Sequence, residues 1–194
     1  MKKLRFAITG TPGVGKHTSA RIIAGKINAE IIDINQVAID NNAIREKTDL
    51  GLDVDAKRLS KLLEKMLNIK RSDLIVVGHL APYVLKPKGI GMVAVLRRSP
   101  YELEKTLEER GYSVDKVREN VASEILGTAL YDSLKTFTRS KVTEFDTTGK
   151  SPNETAEEIL AALQKNPRSK PVNSGIDWLN LVSENGDMRR FFEY

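Results

Sequence analysis

The chain has 194 residues, a length typical of one domain with at most a small appendage. It contains no cysteine, which excludes disulfides and thiolate metal sites. No apolar run approaches the length of a membrane span and no signal peptide is recognisable, so we expect a cytoplasmic protein without a membrane anchor. The formal net charge of +5 either favours nucleotides, RNA or an acidic partner, or reflects a solvated basic surface.

Short apolar strands alternate with amphipathic helices along the first 165 residues. The predicted strands are Leu4–Thr9, Ala29–Ile34, Asp73–Val77, Gly91–Leu96 and Lys141–Phe145. The predicted helices are Lys16–Asn28, Asn35–Lys47, Asp55–Lys70, Pro100–Arg110, Val114–Phe137 and Pro152–Gln164. Such alternation is typical of βαβ units. It predicts an α/β/α fold of three layers around a five-stranded parallel sheet, with ligands at the carboxyl ends of the strands.

Residues 166–194 are predicted to form a linker and a tail. The composition changes at Asn166–Ser174, which is rich in residues that favour turns and loops. The segment Ile176–Tyr194 that follows is apolar enough to dock on a surface. This tail either packs on its own domain or binds a partner.

The first predicted strand leads into a glycine-rich loop, Gly10–Thr18, with the sequence GTPGVGKHT. A strand, this loop and a helix in succession are the context of a phosphate-binding P-loop. The glycines let backbone amides converge on an anion, and the helix that begins at Lys16 adds its positive dipole end. The predicted phosphate contacts are Gly13, Val14, Gly15, Lys16, His17 and Thr18.

One position of this loop departs from the usual pattern. The residue after the lysine usually carries a hydroxyl that binds Mg²⁺, but here it is His17. Because Mg²⁺ prefers oxygen ligands, we expect the ion to be held through water and phosphate oxygens, and His17 to lie along the nucleotide or the helix surface. We therefore assign no certain metal ligand. Thr18 is the one candidate for a metal ligand, and its hydroxyl is expected to bond a phosphate oxygen.

Together with motifs further along, the P-loop resembles the adenylate kinase isoenzyme 6 family, which are small adenylate kinase-like ATPases linked to maturation of the small ribosomal subunit. The matching segments are Gly10–Thr18, Val95–Arg97 (VLR) and Glu109–Glu124 (ERGYSVDKVRENVASE). The resemblance covers about residues 3–165. It implies ATP and Mg²⁺ as cofactors, AMP as acceptor, and both adenylate kinase and ATPase activity. As partners it implies a small-subunit ribosomal protein and pre-ribosomal RNA. We expect the chain itself to be a monomer.

The resemblance also assigns regions and residues beyond the P-loop. It implies a small AMP-binding region at about residues 35–70 and a lid at about residues 110–118. Arg110 is expected to join Lys16 in stabilising the transferring phosphoryl group, or else to be a solvent-facing helix end. Lys150 follows the last strand, where the adenine of ATP is expected. Weaker lid candidates are Lys116 and Arg118.

The AMP site is expected directly after the second strand. Asp33 either contacts AMP there or caps the following helix. The family carries an arginine where this chain has Ile39, so the grip on the monophosphate is weakened. The residues assigned to AMP are Asp33, Asn35, Gln36, Ala38 and His79.

A second departure from the family occurs at the end of the third strand. The family has there an aspartate that holds the water shell of Mg²⁺, and this chain has Val77. Two residues later, His79 is predicted to orient an attacking water or to contact a phosphate, unless it is a structural histidine. With His17 and Val77 both altered, we expect slow turnover or an ion held by phosphates and water.

Three functional hypotheses follow. The chain is an adenylate kinase and ATPase, or a nucleotide-gated assembly factor, and the two roles are compatible. The remaining alternative is a metabolic P-loop kinase of another nucleoside monophosphate or small molecule, such as a shikimate-type enzyme. Shikimate-type kinases require Asp-x-Asp after the second strand and three glycines after the third. Residues 33–35 and 77–79 do not match those motifs.

Overall fold

The computed structural model describes residues 3–48, 51–164 and 175–192. The strands are β1 (Arg5–Gly10), β2 (Glu30–Asp33), β3 (Ile44–Thr48), β4 (Gly51–Val54), β5 (Leu74–Val77), β6 (Met92–Arg97) and β7 (Val142–Asp146). The α-helices are α1 (Lys16–Ile27), α2 (Ile34–Asp40), α3 (Ala56–Ile69), α4 (Ala81–Val84), α5 (Pro100–Glu109), α6 (Val114–Ile125), α7 (Thr128–Thr136), α8 (Pro152–Gln164), α9 (Trp178–Glu184) and α10 (Met188–Phe192). Within these described ranges, no helix is long and apolar enough to cross a membrane.

Five parallel strands form the central sheet in the order β2-β5-β1-β6-β7. Alternate residues of β1 face opposite sides, as a pleated strand requires. Phe6 and Ile8 belong to an apolar cluster with α1, α5, α6 and α8, whereas Ala7 belongs to a cluster with α2, α3 and α4. The sheet is therefore buried on both faces, which confirms the predicted three-layer α/β/α P-loop fold.

All five predicted strands of this sheet are present, and their carboxyl ends lie at one edge. Gly10 pairs with Leu96, and both Ile8 and Asp33 pair with Val77. The P-loop, the start of α2 and the loop after β5 consequently leave the sheet side by side. This alignment brings together residues that are far apart in sequence.

The predicted helix Asn35–Lys47 is wrong. The helix α2 ends at Asp40, and the chain then forms an antiparallel hairpin of β3 and β4. Asn42 adopts φ 51°, a left-handed conformation that asparagine tolerates better than most residues. The Asn41-Asn42 pair is thus a turn signal that the apolar spacing obscured.

The predicted helix Val114–Phe137 is two helices, α6 and α7. Gly127 separates them with φ 67°, and a Cβ atom there would lie 3.4 Å from Nη1 of Arg97. Glycine therefore serves the backbone turn, whereas a Cβ atom would make only an ordinary contact with the buried guanidinium. Three short helices that the sequence did not predict are α4, α9 and α10.

The helices α9 and α10 pack against α6 and against Tyr101 of α5. Val182 and Phe191 are buried, and the Phe191 ring meets Tyr101 edge to face at 5.5 Å. The Tyr101 hydroxyl donates to the carboxylate of Asp187 at 2.7 Å. The predicted linker 166–174 lies outside the described residues.

We predict that Phe191→Ala lowers the free energy of unfolding by about 3 kcal/mol, as expected for truncating a buried aromatic side chain. Met188→Ala, one turn away and 37% exposed, is the matched control and should change it by less than about 1 kcal/mol. Urea unfolding followed by circular dichroism measures both. Equal effects of the two substitutions would contradict a structural role for α10.

Candidate active site

The P-loop spans Gly10 to Lys16, between the end of β1 and the start of α1. Gly13 adopts φ 96°, and a Cβ atom there would lie 2.6 Å from Cδ1 of Leu103 in α5, so a larger residue would strain the backbone and force the Leu103 side chain to move. No side chain caps α1. The first amides of α1 are therefore available to an anion, and the helix dipole favours one.

The ammonium of Lys16 is buried, with only 6% of the residue exposed, and Nζ donates to the carbonyl oxygen of Thr11 at 2.9 Å. The pKa of Lys16 is lowered to about 8, because burial and the nearby Arg110 disfavour the charged form more than Glu124 and Asp33 favour it. The free protein thus holds a poorly hydrated cation that a phosphate anion would stabilise.

A buried ionic network lies behind the P-loop. The guanidinium of Arg97 at the end of β6 donates through Nε to Glu124 and through Nη1 to Glu144, each at 2.6 Å. The other carboxylate oxygen of Glu124 accepts from the Thr11 hydroxyl at 2.5 Å. Arg97 is 2% exposed and Glu124 is 1% exposed. The network therefore joins β6, β7 and α6 to the loop that presents Lys16.

A cleft of about 660 Å³ opens at the carboxyl edge of the sheet. It brings together Lys16 and Arg110, the two predicted cationic stabilisers. Other residues predicted from the sequence that line it are Gly13, His17, Asn35, His79 and the lid candidate Lys116. The predicted lid, residues 110–118, covers the turn between α5 and α6 and the first residues of α6, and its role stays a prediction.

Other predicted residues lie outside the lining of this cleft. Val14 is in the core, Gly15 precedes α1, and Thr18 is exposed on α1. Ala38 of α2 is buried in the core, and the side-chain amide of Gln36 donates to Asp40. Lys150 forms an ion pair with Glu158 of α8 at 2.7 Å.

Several cleft residues were missed by the sequence analysis. Asn120 and Ser123 lie four and seven positions after Lys116, so one face of α6 forms a wall of the cleft. That spacing is a signal that the sequence does contain. Asp53 in β4 and Tyr83 in α4 give no comparable signal, because the hairpin and α4 were not predicted. The lining residues that the sequence analysis did not assign are Asp53, Tyr83, Tyr112, Asn120, Ser123, Thr128 and Ala129.

Asp33 caps α2 and also contacts the P-loop helix. Its Oδ1 accepts from the amides of Asn35 at 2.9 Å and Gln36 at 3.3 Å, and its Oδ2 lies 3.0 Å from Nε2 of His17. The hydrogen bond with His17, followed by the backbone amides, lowers the pKa of Asp33. The carboxylate is therefore ionised near neutral pH.

His79 lies in the cleft after β5 and keeps part of its side chain open to solvent. Its pKa is lowered, because the cleft strips water from the imidazole and because Lys16 and His17 lie nearby. The ring is therefore neutral at physiological pH and has one nitrogen available to accept a proton or hydrogen bond.

The residues present suit a nucleotide phosphate, but they do not include the usual protein ligands of Mg²⁺. Lys16 and the uncapped start of α1 offer a cation and amides to an anion. By contrast, Val77 is fully buried where the family has a carboxylate, and His17 stands where a hydroxyl is usual. Among the residues that the structure describes, no group of three His, Cys, Asp or Glu side chains could hold a metal ion.

The fold and the cleft define a P-loop protein of the three-layer α/β/α class. In solved structures, the shikimate kinase of Bacteroides thetaiotaomicron has a similar fold, with a TM-score of 0.54 over 84% of this chain and 99% of that chain at 15% identity. The gluconokinase of Sinorhizobium meliloti gives a TM-score of 0.51 over 84% of this chain and 93% of that chain at 16% identity. At these identities the likeness shows the fold alone.

Sequence comparison shows the family. Residues 7–127 match the family described as AAA domain. Proteins named "Putative adenylate kinase" are similar over nearly the whole chain. The one from Pyrococcus furiosus is 36% identical over 92% of this chain and 93% of its own length, and the one from Methanococcus maripaludis is 36% identical over 91% and 98%. The chain belongs to the AAA domain family and to the adenylate kinase-like family of these archaeal proteins.

We predict that Lys16→Met raises the free energy of unfolding of the nucleotide-free protein by about 2 kcal/mol at pH 7. The lowered pKa corresponds to about 3 kcal/mol at about 1.4 kcal/mol per pH unit, and the lost hydrogen bond to Thr11 returns about 1 kcal/mol. The cost of the buried ammonium is fully present below pH about 8 and disappears towards 10.5, so the difference between variant and wild type shrinks over that range.

Urea unfolding at pH 7 and at pH 10 measures this difference. Lys57→Met, at an exposed position of α3, is the matched control and should change the unfolding free energy by less than about 0.5 kcal/mol at either pH. A Lys16→Met protein that is less stable than the wild type at pH 7 would contradict the argument.

We predict that Glu124→Gln lowers the free energy of unfolding by about 3 kcal/mol, because it leaves the buried guanidinium of Arg97 with less compensation. Glu119→Gln, on the exposed face of the same helix, removes the same charge and should have an effect under about 0.5 kcal/mol. Urea unfolding at pH 7 compares them, and similar losses would show that the buried network contributes no special stability.

Proposed function

We propose that this protein is a cytoplasmic, monomeric phosphotransferase that binds ATP with a divalent metal, transfers the terminal phosphoryl group to AMP, and also hydrolyses ATP. The observation that carries the proposal is that Lys16 and Arg110, two cationic residues, both line the cleft at the P-loop. Phosphoryl transfer depends mainly on positioned cations around the moving group, and these two side chains approach it from different elements.

The P-loop side of the cleft is proposed to take ATP. Gly13, Lys16, His17 and Arg110 line the cleft, which supports their assignment to the phosphates. Val14, Gly15 and Thr18 are proposed to contribute through the backbone at the start of α1, and Lys150 to lie towards the adenine. When bound, the metal would neutralise charge on the phosphates, with water and phosphate oxygens as its main ligands.

The opposite side of the cleft is proposed to take AMP or the attacking water. Asn35 and His79 line this side, and Asp33, Gln36 and Ala38 form the adjoining start of α2. The neutral imidazole of His79 is suited to accept a proton from an attacking water, which an imidazolium is not.

Charge is distributed unevenly between the two sides. The basic side chains of the described lining, Lys16, His17, Arg110 and Lys116, come from the P-loop helix and from α5 to α6. The described side chains opposite them include a carboxylate, Asp53, and no arginine or lysine. This asymmetry supports a weak grip on the phosphate of AMP, and hydrolysis that competes with transfer.

The same ATP site is proposed to serve a second role, as a nucleotide-dependent factor in maturation of the small ribosomal subunit. The resemblance described above supports this role, together with the net charge of +5, which favours an RNA-containing partner. Slow hydrolysis that a partner accelerates would suit a binding switch better than a metabolic enzyme.

We predict that Arg110→Ala lowers the rate of ADP formation from ATP and AMP by about 100-fold, the size typical of losing a positioned cationic stabiliser. Arg139→Ala removes an exposed arginine outside both the cleft lining and the predicted lid, and should change the rate less than about twofold. A coupled ADP assay with and without AMP measures transfer and hydrolysis separately. Equal rates for the two variants would remove Arg110 from the proposed site.

The same assay distinguishes the two roles. Addition of small ribosomal subunits, or of a small-subunit ribosomal protein with its RNA, should accelerate hydrolysis by the wild type but not by Lys16→Met. Fast transfer to AMP that such partners do not alter would contradict the assembly role and favour a metabolic kinase.

A further inference from the structure

The two departures from the family's pattern, Val77 at the end of β5 and His17 after the P-loop lysine, are structurally linked. Val77 ends β5 where a carboxylate is usual in this family, and its register partner on β2 is Asp33. Neighbouring strands lie about 4.8 Å apart, and side chains of register partners project from the same face of a sheet. A carboxylate is thus present at the same level of the sheet, displaced by one strand.

The carboxylate of Asp33 is in direct contact with His17, the second departure. Oδ2 of Asp33 lies 3.0 Å from Nε2 of His17, the residue that replaces the metal-binding hydroxyl. The other oxygen, Oδ1, is used in capping α2, so both carboxylate oxygens are engaged. Asp33 is therefore placed to orient the imidazole rather than to bind an ion itself.

The hydrogen bond fixes which nitrogen of His17 is available. An ionised carboxylate is only an acceptor, so the proton of the neutral ring lies on Nε2. The lone pair of that ring is then on Nδ1. Histidines that bind metals usually donate their other N–H to a carboxylate in this way, which orients the ring and raises its basicity as a ligand.

We propose that His17 is a metal ligand through Nδ1, oriented by Asp33, and that the site takes ATP with a divalent transition metal such as Mn²⁺ or Co²⁺ in preference to Mg²⁺. Imidazole is a good ligand for transition metals and a poor one for Mg²⁺. Phosphate oxygens and water complete the coordination. This inference rests on the proposed use of ATP, and it replaces the expectation that His17 takes no part in binding the metal.

The unmodified protein provides the first test. Mn²⁺ and β,γ-methylene ATP, whose bridge contains no nitrogen, are bound to the protein and examined by electron spin echo envelope modulation. A ¹⁴N coupling of an imidazole bound to Mn²⁺ is expected. The sequence has only two histidines, His17 and His79, so the source of the signal can be assigned by two substitutions.

His17→Ser restores the usual hydroxyl and should abolish the coupling. It should also lower the ratio of Co²⁺ to Mg²⁺ affinity by about tenfold or more, measured by calorimetry with the same nucleotide. His79→Gln is the matched control and should keep the coupling. Asp33→Asn retains a helix cap but not the charge, and should weaken Mn²⁺ binding by about tenfold while the coupling remains.

The outcomes separate this inference from the proposed function. Nucleotide binding without a ¹⁴N coupling overturns the metal inference and leaves the proposed function standing, as does a coupling lost only in His79→Gln. An unchanged ratio of Co²⁺ to Mg²⁺ affinity in His17→Ser also overturns it. Failure to bind the nucleotide with Mg²⁺, Mn²⁺ or Co²⁺ overturns the proposed function itself.

Discussion

The carboxylate of Glu124 is the interaction on which the rest of the site depends. It lies in the interior beside the guanidinium of Arg97 and accepts a hydrogen bond from Thr11 in the P-loop. Separating such a buried pair costs more than its formation contributes to stability, so the geometry is held closely. Glu124 and Lys116 both belong to α6, one face of which forms a wall of the cleft. The contact of Glu124 with Thr11 therefore fixes this wall relative to the P-loop.

This arrangement explains how the protein maintains an unfavourable charge. Lys16 is buried, and among the described residues its ammonium donates one hydrogen bond, to the carbonyl oxygen of Thr11. Glu124 is the strongest of the influences that keep it protonated. A polyphosphate would supply the missing compensation, so part of the stability lost in folding around this cation is recovered on binding. The side of the cleft at Lys16 therefore favours an anion, whereas the carboxylate of Asp53 makes the opposite side less favourable for an anion.

The sequence was sufficient for the parallel sheet and the P-loop because both depend on local patterns. Short apolar runs are buried strands here, and the glycine-rich loop lies where its spacing indicated. The two helix errors arose where the chain turns without interrupting its apolar spacing, at Asn42 and at Gly127. The ionic network was not foreseen, since Arg97, Glu124 and Glu144 meet only through tertiary packing. The same holds for the contact of His17 with Asp33, which depends on the register of two strands.

The packing of α9 and α10 has a consequence for any shortened version of this protein. These helices cover α5 and α6 and place Val182 and Phe191 in the same apolar cluster as Leu103 and Val121. A chain that stopped after α8 would leave that surface in contact with water, and newly exposed apolar surface of this kind favours aggregation. The unit that folds therefore extends beyond residues 7–127, which match the family model, and includes α9 and α10.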